Sequence, residues 1–473
     1  MTEPENTSTT TSAALVPALI FIALVVAVVG SLGAPLITPV ADQFSVSLAA
    51  AQWTLTAPLL VGAIATPVLG RLGVGPHRRQ VIIATLSVVA VGSLLTVVPP
   101  SFGWLLAGRV AQGAGLGLTA LMMGVARDHL PAEHSGGTIA VLSVASTIGI
   151  GVGYPLAGLL ADLAGLRSAY GLGLLIAGAA LTAACFTIPD APARRSAMVD
   201  VVGAALLGCG LLALLLAISQ TALWINRPAL AGALVAAAVI LIGIWAHHES
   251  RSATPLVNLT LLRHPAVAGA NAIMFLGGIG MYLLLTLVTR YVQTPSMAGY
   301  GFGVTVFIAG MVLVPFSILG FVGGKLVPPL RERLTPATIL VIGGMAVLLA
   351  LVVFALIRSQ LWLSFAVMGL LGLGVGVFSA AMPAAILAVT PAEETSSAMS
   401  FNQVVRSVGF SIGSALGGLT LAAYTSVGSK FPADFGYTVA SWLGAGAMTV
   451  TVIAALTLRS TPRFATPEDA AKQ

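Results

Sequence analysis

The stretch LPAEHSGGTIAVLSVASTIGIGVGYPLAG, Leu130–Gly158, returns 260 residues later as TPAEETSSAMSFNQVVRSVGFSIGSALGG, Thr390–Gly418. Pro131, Ala132, Glu133, Gly149, Gly153 and Gly158 recur as Pro391, Ala392, Glu393, Gly409, Gly413 and Gly418. A second echo, in the same order, joins GRLGVGPHRR from Gly70 to GKLVPPLRER from Gly324, repeating a glycine, a basic residue, a leucine and a terminal arginine. Both pairs lie in or beside long apolar runs. Two matched halves on this scale point to a duplicated membrane bundle.

The composition fixes the solvent. Of 473 residues, 58% are apolar and 8% charged, against roughly 25% charged in a soluble domain. That shortfall cannot cover a water-facing surface, whereas about 20 apolar residues cross a bilayer as a helix. Fourteen spans are predicted, over 14–40, 50–69, 80–99, 103–126, 137–161, 168–188, 200–219, 228–246, 266–289, 301–323, 335–357, 361–388, 397–424 and 436–458. Spans seven and eight have no echo in either half. The expected organisation of this all-α membrane protein is therefore a tail (1–13), a six-helix bundle (14–189), a linker with two inserted helices (190–264), a second six-helix bundle (265–458) and a second tail (459–473). The leader MTEPENTSTTTS is acidic and rich in Ser and Thr, and the run behind it is long, so it reads as a first span rather than a signal peptide. Cys185 and Cys209 lie inside apolar runs and imply no disulfide framework.

The net charge of +6 is a topology signal. Fourteen Lys and Arg fall on the side of the loop between spans two and three. Five (Arg167, Arg227, Arg290, Arg358 and Lys430) fall on the other, and Arg109 and Arg406 lie within spans. By the positive-inside rule both termini are expected in the cytoplasm of a multi-pass cell-membrane protein. The same distribution removes a nucleic-acid partner from consideration.

Three motifs resemble the major facilitator superfamily, over nearly the whole chain, and the six-plus-two-plus-six layout is similar to its fourteen-span drug:proton antiporter branch. Gly70, Arg78 and Arg79 match the signature loop between spans two and three. Arg109, Gln112 and Gly113 in GRVAQG match the membrane arginine of span four. Gly153, Pro155 and Gly158 in GIGVGYPLAG resemble the glycine–proline motif of exporters. Three positions depart from the pattern. Val74 stands where the loop usually has an acid, Gly33 where the first span often has one, and Tyr154 and Leu159 where the exporter motif has glycines. The resemblance implies the major facilitator fold and a proton-coupled secondary transporter. Such a protein exports lipophilic or amphiphilic small molecules (drugs, antibiotics, metabolites or lipid-like compounds) by alternating access. An uptake permease of the same fold is the alternative, as is a non-transporting membrane scaffold or sensor. The last needs no interior charge, so Arg109 and Arg406 count against it.

An arginine inside a membrane costs about 2.5–3.5 kcal/mol on insertion scales and usually faces the bundle interior. Arg109 and Arg406 therefore read as cavity charges that contact substrate, or else as donors that tie off helix carbonyls. Asn402 and Arg406, four apart, share a helix face, with Gln403 beside them. Gln112, Asn271, Phe275 and Tyr282 complete the candidate substrate-binding set. Gly149, Gly153, Pro155 and Gly158 combine close packing with a bend. With Gly70, Val74, Arg78 and Arg79 they are the candidate gating set. Glu393 reads as part of a TPAE capping box. No acid is assigned to the middle of a span. A proton relay usually needs one, so coupling is implied by the resemblance alone, with Asp42 and Asp162, at outer span ends, as its candidates. Arginines without carboxylates favour a neutral or anionic amphiphile as substrate. No enzyme is read: GFSIG, Gly409–Gly413, fits G-x-S-x-G, but inside a helix and remote from every histidine. No metal or cofactor is expected, and the chain is expected to act as a monomer. Val74 is expected to leave the inner gate loosely held. Val74→Asp should then lower the reactivity of a cysteine placed in the cytoplasmic mouth toward an impermeant thiol reagent. Equal reactivity would end that reading.

Overall fold

The computed structural model describes residues 8–33, 36–46, 48–51, 53–190, 200–252, 255–387, 389–426, 429 and 431–457. Most of the expected 1–13 tail, all of the 459–473 tail, and Arg194 and Arg195 of the linker lie outside the described residues. The described residues form α-helices with short 3-10 turns. In chain order the membrane helices are α1 (Ser8–Ser31), α2 (Trp53–Leu72), α3 (Arg78–Val97), α4 (Phe102–His129), α5 and α6 (the two arms of Ala132–Thr187), α7 (Val201–Ser219), α8 (Pro228–Glu249) and α9 (Pro265–Gln293). There follow α10 (Val306–Arg331), α11 (Pro336–Leu356), α12 (Leu361–Leu387), α13 (Thr395–Ala423) and α14 (Asp434–Thr457).

Thirteen helical segments among the described residues are long and apolar enough to cross a membrane, and one of them runs for 55 residues, Glu133–Thr187. That one reverses at Gly165, whose backbone lies at φ 79° and ψ 177°, a region open essentially to glycine. Ser168 Oγ donates to Leu160 O at 2.7 Å, eight residues back, a separation of about 12 Å along a straight helix. The two arms give fourteen crossings. The first departs from its predicted range. It ends at Ser31, and residues 37–44 form a separate short helix, Ile37–Phe44.

The repeat seen in the sequence is a repeat of contacts. In the first half, a Cβ on Gly149 would strike Ala27 Cβ, and one on Gly153 would strike Ser31 Oγ, both on α1. In the second half, a Cβ on Gly409 would lie 2.5 Å from Phe275 O, and one on Gly413 would strike Ile279 O, both on α9. Each glycine pair lets α5 or α13 lie backbone-close on the first helix of its own half. The other echo joins the halves. A Cβ on Gly70 of α2 would strike Ser400 of α13, and one on Gly324 of α10 would strike Val144 of α5.

The inserted pair packs on itself and on the α2–α13 seam. Asp200 caps α7 by accepting from Gly203 N at 2.8 Å, and it meets His248 Nε2 of α8 at 2.8 Å. The next residue, Glu249, is buried and accepts from Val257 N at 2.6 Å. Ser397 Oγ of α13 donates to Leu256 O at 2.9 Å, so the segment after α8 is fastened to the start of α13. At the expected TPAE capping box the Thr390 hydroxyl donates back to Ile386 O at 2.7 Å, and Pro391 precedes a 3-10 turn, Ala392–Glu394, with no side-chain cap. The side chain of Glu393 lies outside the described residues. The turn makes one test local. Gly165→Ala should destabilise the detergent-solubilised protein by about 1–3 kcal/mol, read as a lower Tm. Gly171→Ala, in a helix with open space around the new methyl group, should leave Tm unchanged or raised.

Candidate functional site

Arg109 is wholly buried, and its surroundings follow from two helix ends. The last carbonyls of a helix have no partner within it and attract cations. Arg109 Nη1 donates to Val29 O at 2.9 Å and Nη2 to Gly30 O at 3.1 Å, both in the last turn of α1. Its Nε donates to Thr54 O at 2.7 Å. Within α2 that carbonyl would accept from the amide four residues on, but the residue there is Pro58, which has none. Gln112 Oε1 accepts from Nη1 at 2.7 Å, while its Nε2 donates to Ser93 Oγ of α3 at 3.0 Å. Arg109 and Gln112 thus join α1, α2, α3 and α4 within the first half. A Cβ on Gly33 would lie 2.8 Å from Arg109 Nη2. Any side chain at that position would press on the guanidinium, and with glycine there backbone carbonyls hold it.

The second arginine is placed differently. Arg406 is 9% exposed. It lines a cavity between the halves together with Met123 of α4, Ser143 of α5, Met274 of α9, Ser379 and Pro383 of α12, and Met399, Asn402 and Gln403 of α13. Among the described residues its guanidinium makes no hydrogen bond or ion pair, and it lies 5.7 Å from the Phe410 ring centroid. Each lining residue lies within about three turns of the end of its helix nearest Arg71, Arg78, Arg79 and Arg127, here termed the basic end. The cavity is ≈ 10 Å³, room for about one water, so a drug-sized ligand requires the halves to part.

Of the eight candidate substrate residues, the structure brings Asn402, Gln403 and Arg406 to this cavity. Asn271 stands behind them, accepting from Asn402 Nδ2 at 2.9 Å and tying α9 to α13. Tyr282 stacks on Phe410 with ring centroids 5.0 Å apart. The backbone of Phe275 packs against Gly409, and its side chain is half-buried outside the lining. The methionines of the lining were missed because an apolar residue in an apolar span gives no sign of which way it faces. Among the described residues the buried hydroxyl of Ser379 has no hydrogen-bond partner.

The basic end is closed by residues the sequence did not single out. Arg127, at the end of α4, reaches across to the second half. It donates to Leu387 O at 3.2 Å, Thr390 O at 2.7 Å and Thr395 Oγ1 at 2.9 Å, a cation on the carbonyl end of α12. Arg71 Nη1 lies 3.5 Å from Glu394 Oε1, also across the halves. Gly70 sits in that closure, against Ser400. Arg78 and Arg79 act within the first half. Arg78 pairs with Asp128 at 2.5 Å, buried on both sides, and its Nε donates to Gly73 O. Arg79 Nη2 donates to Cys185 O at 2.8 Å. Val74 is half-buried in the loop, and closure here comes from Arg71 and Arg127.

The span-five motif divides between two jobs. Gly149 and Gly153 face α1 within their own half. Pro155 and Gly158 face α10 across the halves: a Cβ on Gly310 would lie 3.1 Å from Pro155 Cα, and one on Gly158 would lie 3.6 Å from Phe307 Cα. Gly151, which no motif marks, makes the closest approach there, its added Cβ falling on Ser317 Oγ. That hydroxyl donates to Thr147 O at 2.6 Å. Asp42 and Asp162 are exposed and lie away from the cavity.

A family model described as the Major Facilitator Superfamily matches residues 19–361 and 295–473. The chain belongs to that superfamily of membrane transporters. Multidrug resistance protein Stp of Mycobacterium tuberculosis is 26% identical over 392 residues, 81% of this chain and 71% of that protein. The probable actinorhodin transporter of Streptomyces coelicolor is 28% identical over 394 residues, 78% of this chain and 65% of that one. The tetracenomycin C resistance and export protein of Streptomyces glaucescens is 25% identical over 390 residues, 82% and 71% of the two chains. Among solved structures, the human organic anion transporter MFSD10 shares the fold, with a TM-score of 0.64 at 14% identity, over 94% of this chain and 99% of that one.

Arg127 gives the gate a direct test. In a background with Cys185 and Cys209 replaced by serine, a cysteine at Ser143 should react slowly with an impermeant thiol reagent applied from the basic face. Arg127→Ala with Arg71→Ala should speed the reaction roughly tenfold or more, since about 1.4 kcal/mol of lost closure is tenfold in the open population.

Proposed function

We propose that this protein exports lipophilic or amphiphilic small molecules from the cell by alternating access. The observation that carries the reading is a polar, arginine-bearing cavity in the seam between two halves, directly behind a closed gate. Glycine, serine and proline contacts along α5–α10 and α2–α13 form the surfaces on which the halves rock. The inserted α7–α8 pair rides on the second of these seams. The working units of this proposal are the bundles 14–189 and 265–458, with 190–264 between them. The basic end faces the cytoplasm, a reading the charge asymmetry supports, and the chain works as a monomer.

Arg406, Asn402 and Gln403 are the proposed substrate contacts, with Asn271 positioning Asn402. Arg109 and Gln112 hold the first half in shape, Met123, Met274, Met399 and Pro383 form the cavity's apolar side, and Phe410, stacked on Tyr282, lies beside Arg406. A guanidinium without a carboxylate beside it selects neutral or anionic amphiphiles over cations. The relatives named for multidrug resistance, for actinorhodin transport and for tetracenomycin C resistance and export support export as the direction. Proton coupling, which the resemblance implies, has Asp42 and Asp162 as its candidates, and neither reaches the cavity.

Intracellular accumulation of a compound panel sorted by charge tests the reading. Cells carrying the protein should hold several-fold less of neutral and anionic aromatic compounds than cells without it. Arg406→Ala should abolish that difference while the purified protein keeps its Tm. Arg109→Ala leaves three carbonyls and Gln112 without their donor, at about 1–3 kcal/mol for each buried group left unpaired, and should lower Tm and yield. Selective exclusion of cations would overturn the substrate class.

A further inference from the structure

We infer that Glu249 is a positioning residue of the gate at the basic end: it holds the head of α13 closed while its carboxyl group carries a proton, and lets it open when that proton leaves. The inference rests on the proposed alternating access and names a control upon it.

Four consecutive residues at the head of α13 take part in the closure. Glu394 is paired with Arg71, and Thr395 Oγ1 accepts from Arg127 Nη1 at 2.9 Å. Ser396 lies against α4, where a Cβ on Gly124 would strike its hydroxyl. These three engage the first half. The fourth, Ser397, donates instead to Leu256 O at 2.9 Å. The segment after α8 therefore holds the end of the helix on which the gate closes.

That segment is itself held by one carboxyl group. Glu249 Oε1 accepts from Val257 N at 2.6 Å. The other oxygen, Oε2, has no hydrogen-bond partner among the described residues, in a residue only 3% exposed. It shares its surroundings with a second carboxyl group: a Cβ on Gly203 would lie 2.6 Å from Asp200 Oδ2 and 3.0 Å from Glu249 Oε2. Trp245, Leu256 and Val257 form one buried apolar cluster around the foot. The groups that face Glu249 are Asp200 from the head of α7, His248 from its own helix, which meets Asp200 at 2.8 Å, and the Val257 amide. His247 and Arg251, two residues to either side in the chain, are exposed.

Two ionised carboxylates side by side and short of water repel, and a buried charge without a partner is costly. A proton on Glu249 Oε2 removes that charge and supplies a donor toward Asp200, so the closed structure is the protonated one. The proton leaves to the solution at the basic end by way of Asp200 and the half-exposed His248. Repulsion between the two carboxylates then loosens the foot, the segment 256–257 moves with Glu249, and Ser397 loses its acceptor. Thr395 and Glu394 lose the support that keeps them in register with Arg127 and Arg71. The closed form binds the proton and the open form gives it up, so raising the pH favours opening, by up to about tenfold for each unit over which only the closed form is protonated. This proton is additional to the coupling proton that the resemblance implies.

The test uses the full chain in vesicles with the basic face outward, Cys185 and Cys209 replaced by serine, and Ser143→Cys as the reporter for an impermeant thiol reagent. Each rate is divided by that of Gly136→Cys, an exposed position with open space around it, which removes the pH dependence of the thiol itself. From about pH 6 to about pH 8 the normalised rate should rise roughly tenfold or more. Glu249→Gln keeps an acceptor for Val257 N and offers an N–H toward Asp200. At unchanged Tm it should stay slow at both pH values. Asp200→Asn removes the second charge and should move the rise to lower pH. A normalised rate equal at both pH values, or a Glu249→Gln response equal to wild type, overturns this inference and leaves alternating access standing. A Ser143→Cys reporter that stays unreactive at both pH values, even with Arg71→Ala and Arg127→Ala, overturns alternating access together with it.

Discussion

An arginine in hydrocarbon must find acceptors within the protein, because no water is there to supply them. The two halves of this chain meet that demand in opposite ways. In the first half, Arg109 is consumed by α1 carbonyls at a helix end and by a carbonyl that Pro58 has deprived of its amide. A charge that would destabilise a span thereby becomes the joint of four helices. In the second half, Arg406 sits on α13 with an aromatic ring for company and empty space ahead of it. The first arrangement gives rigidity. The second leaves a guanidinium facing the seam.

Small residues set where the seam lies. Glycines on α5 and α13 bring those helices against the first helix of their own half, while glycines on α2 and α10 bring the halves against each other. Contacts of this kind are dispersive and cheap to slide, since they commit few hydrogen bonds. Of the polar contacts that cross the halves, Ser317 Oγ to Thr147 O lies midway along α10 and α5, and those of Arg127 and Arg71 lie at the basic end. A structure closed there by two arginines, with a small cavity immediately behind, is one stage of an alternating cycle. The bonds of Arg127 are ones that breaking a helix-end contact can release without unfolding a helix.

The inserted pair adds a further constraint. Asp200, His248 and Glu249 fasten the foot of α7–α8 to the segment that Ser397 holds against α13. The helix that carries Arg406 is therefore fixed to the inserted pair at its basic end and packed on α9 through Gly409 and Gly413.

The sequence by itself determined the solvent, the fourteen crossings and the duplication, which follow from hydropathy, periodicity and residue spacing, all local quantities. The family was legible only as a resemblance carried by the motifs at Gly70–Arg79, Arg109–Gly113 and Gly153–Gly158. The reversal at Gly165, the early end of α1 at Ser31 and the turn of the Thr390 hydroxyl back to Ile386 O lay below that resolution, because each depends on competition between neighbouring backbone partners. The direction of a side chain was not legible at all. Arg109 and Arg406 look alike in sequence, both alone in apolar spans, and only packing shows that one faces orphaned carbonyls and the other a void. Arg127 looked like one more loop cation until α12 was seen to end beside it. The lining methionines and Gly151 carried no signal, since apolar and small residues are common in every span. What a chain can bury is written in its composition; which group meets which is decided by the tertiary fold, because partners far apart in sequence supply the acceptors.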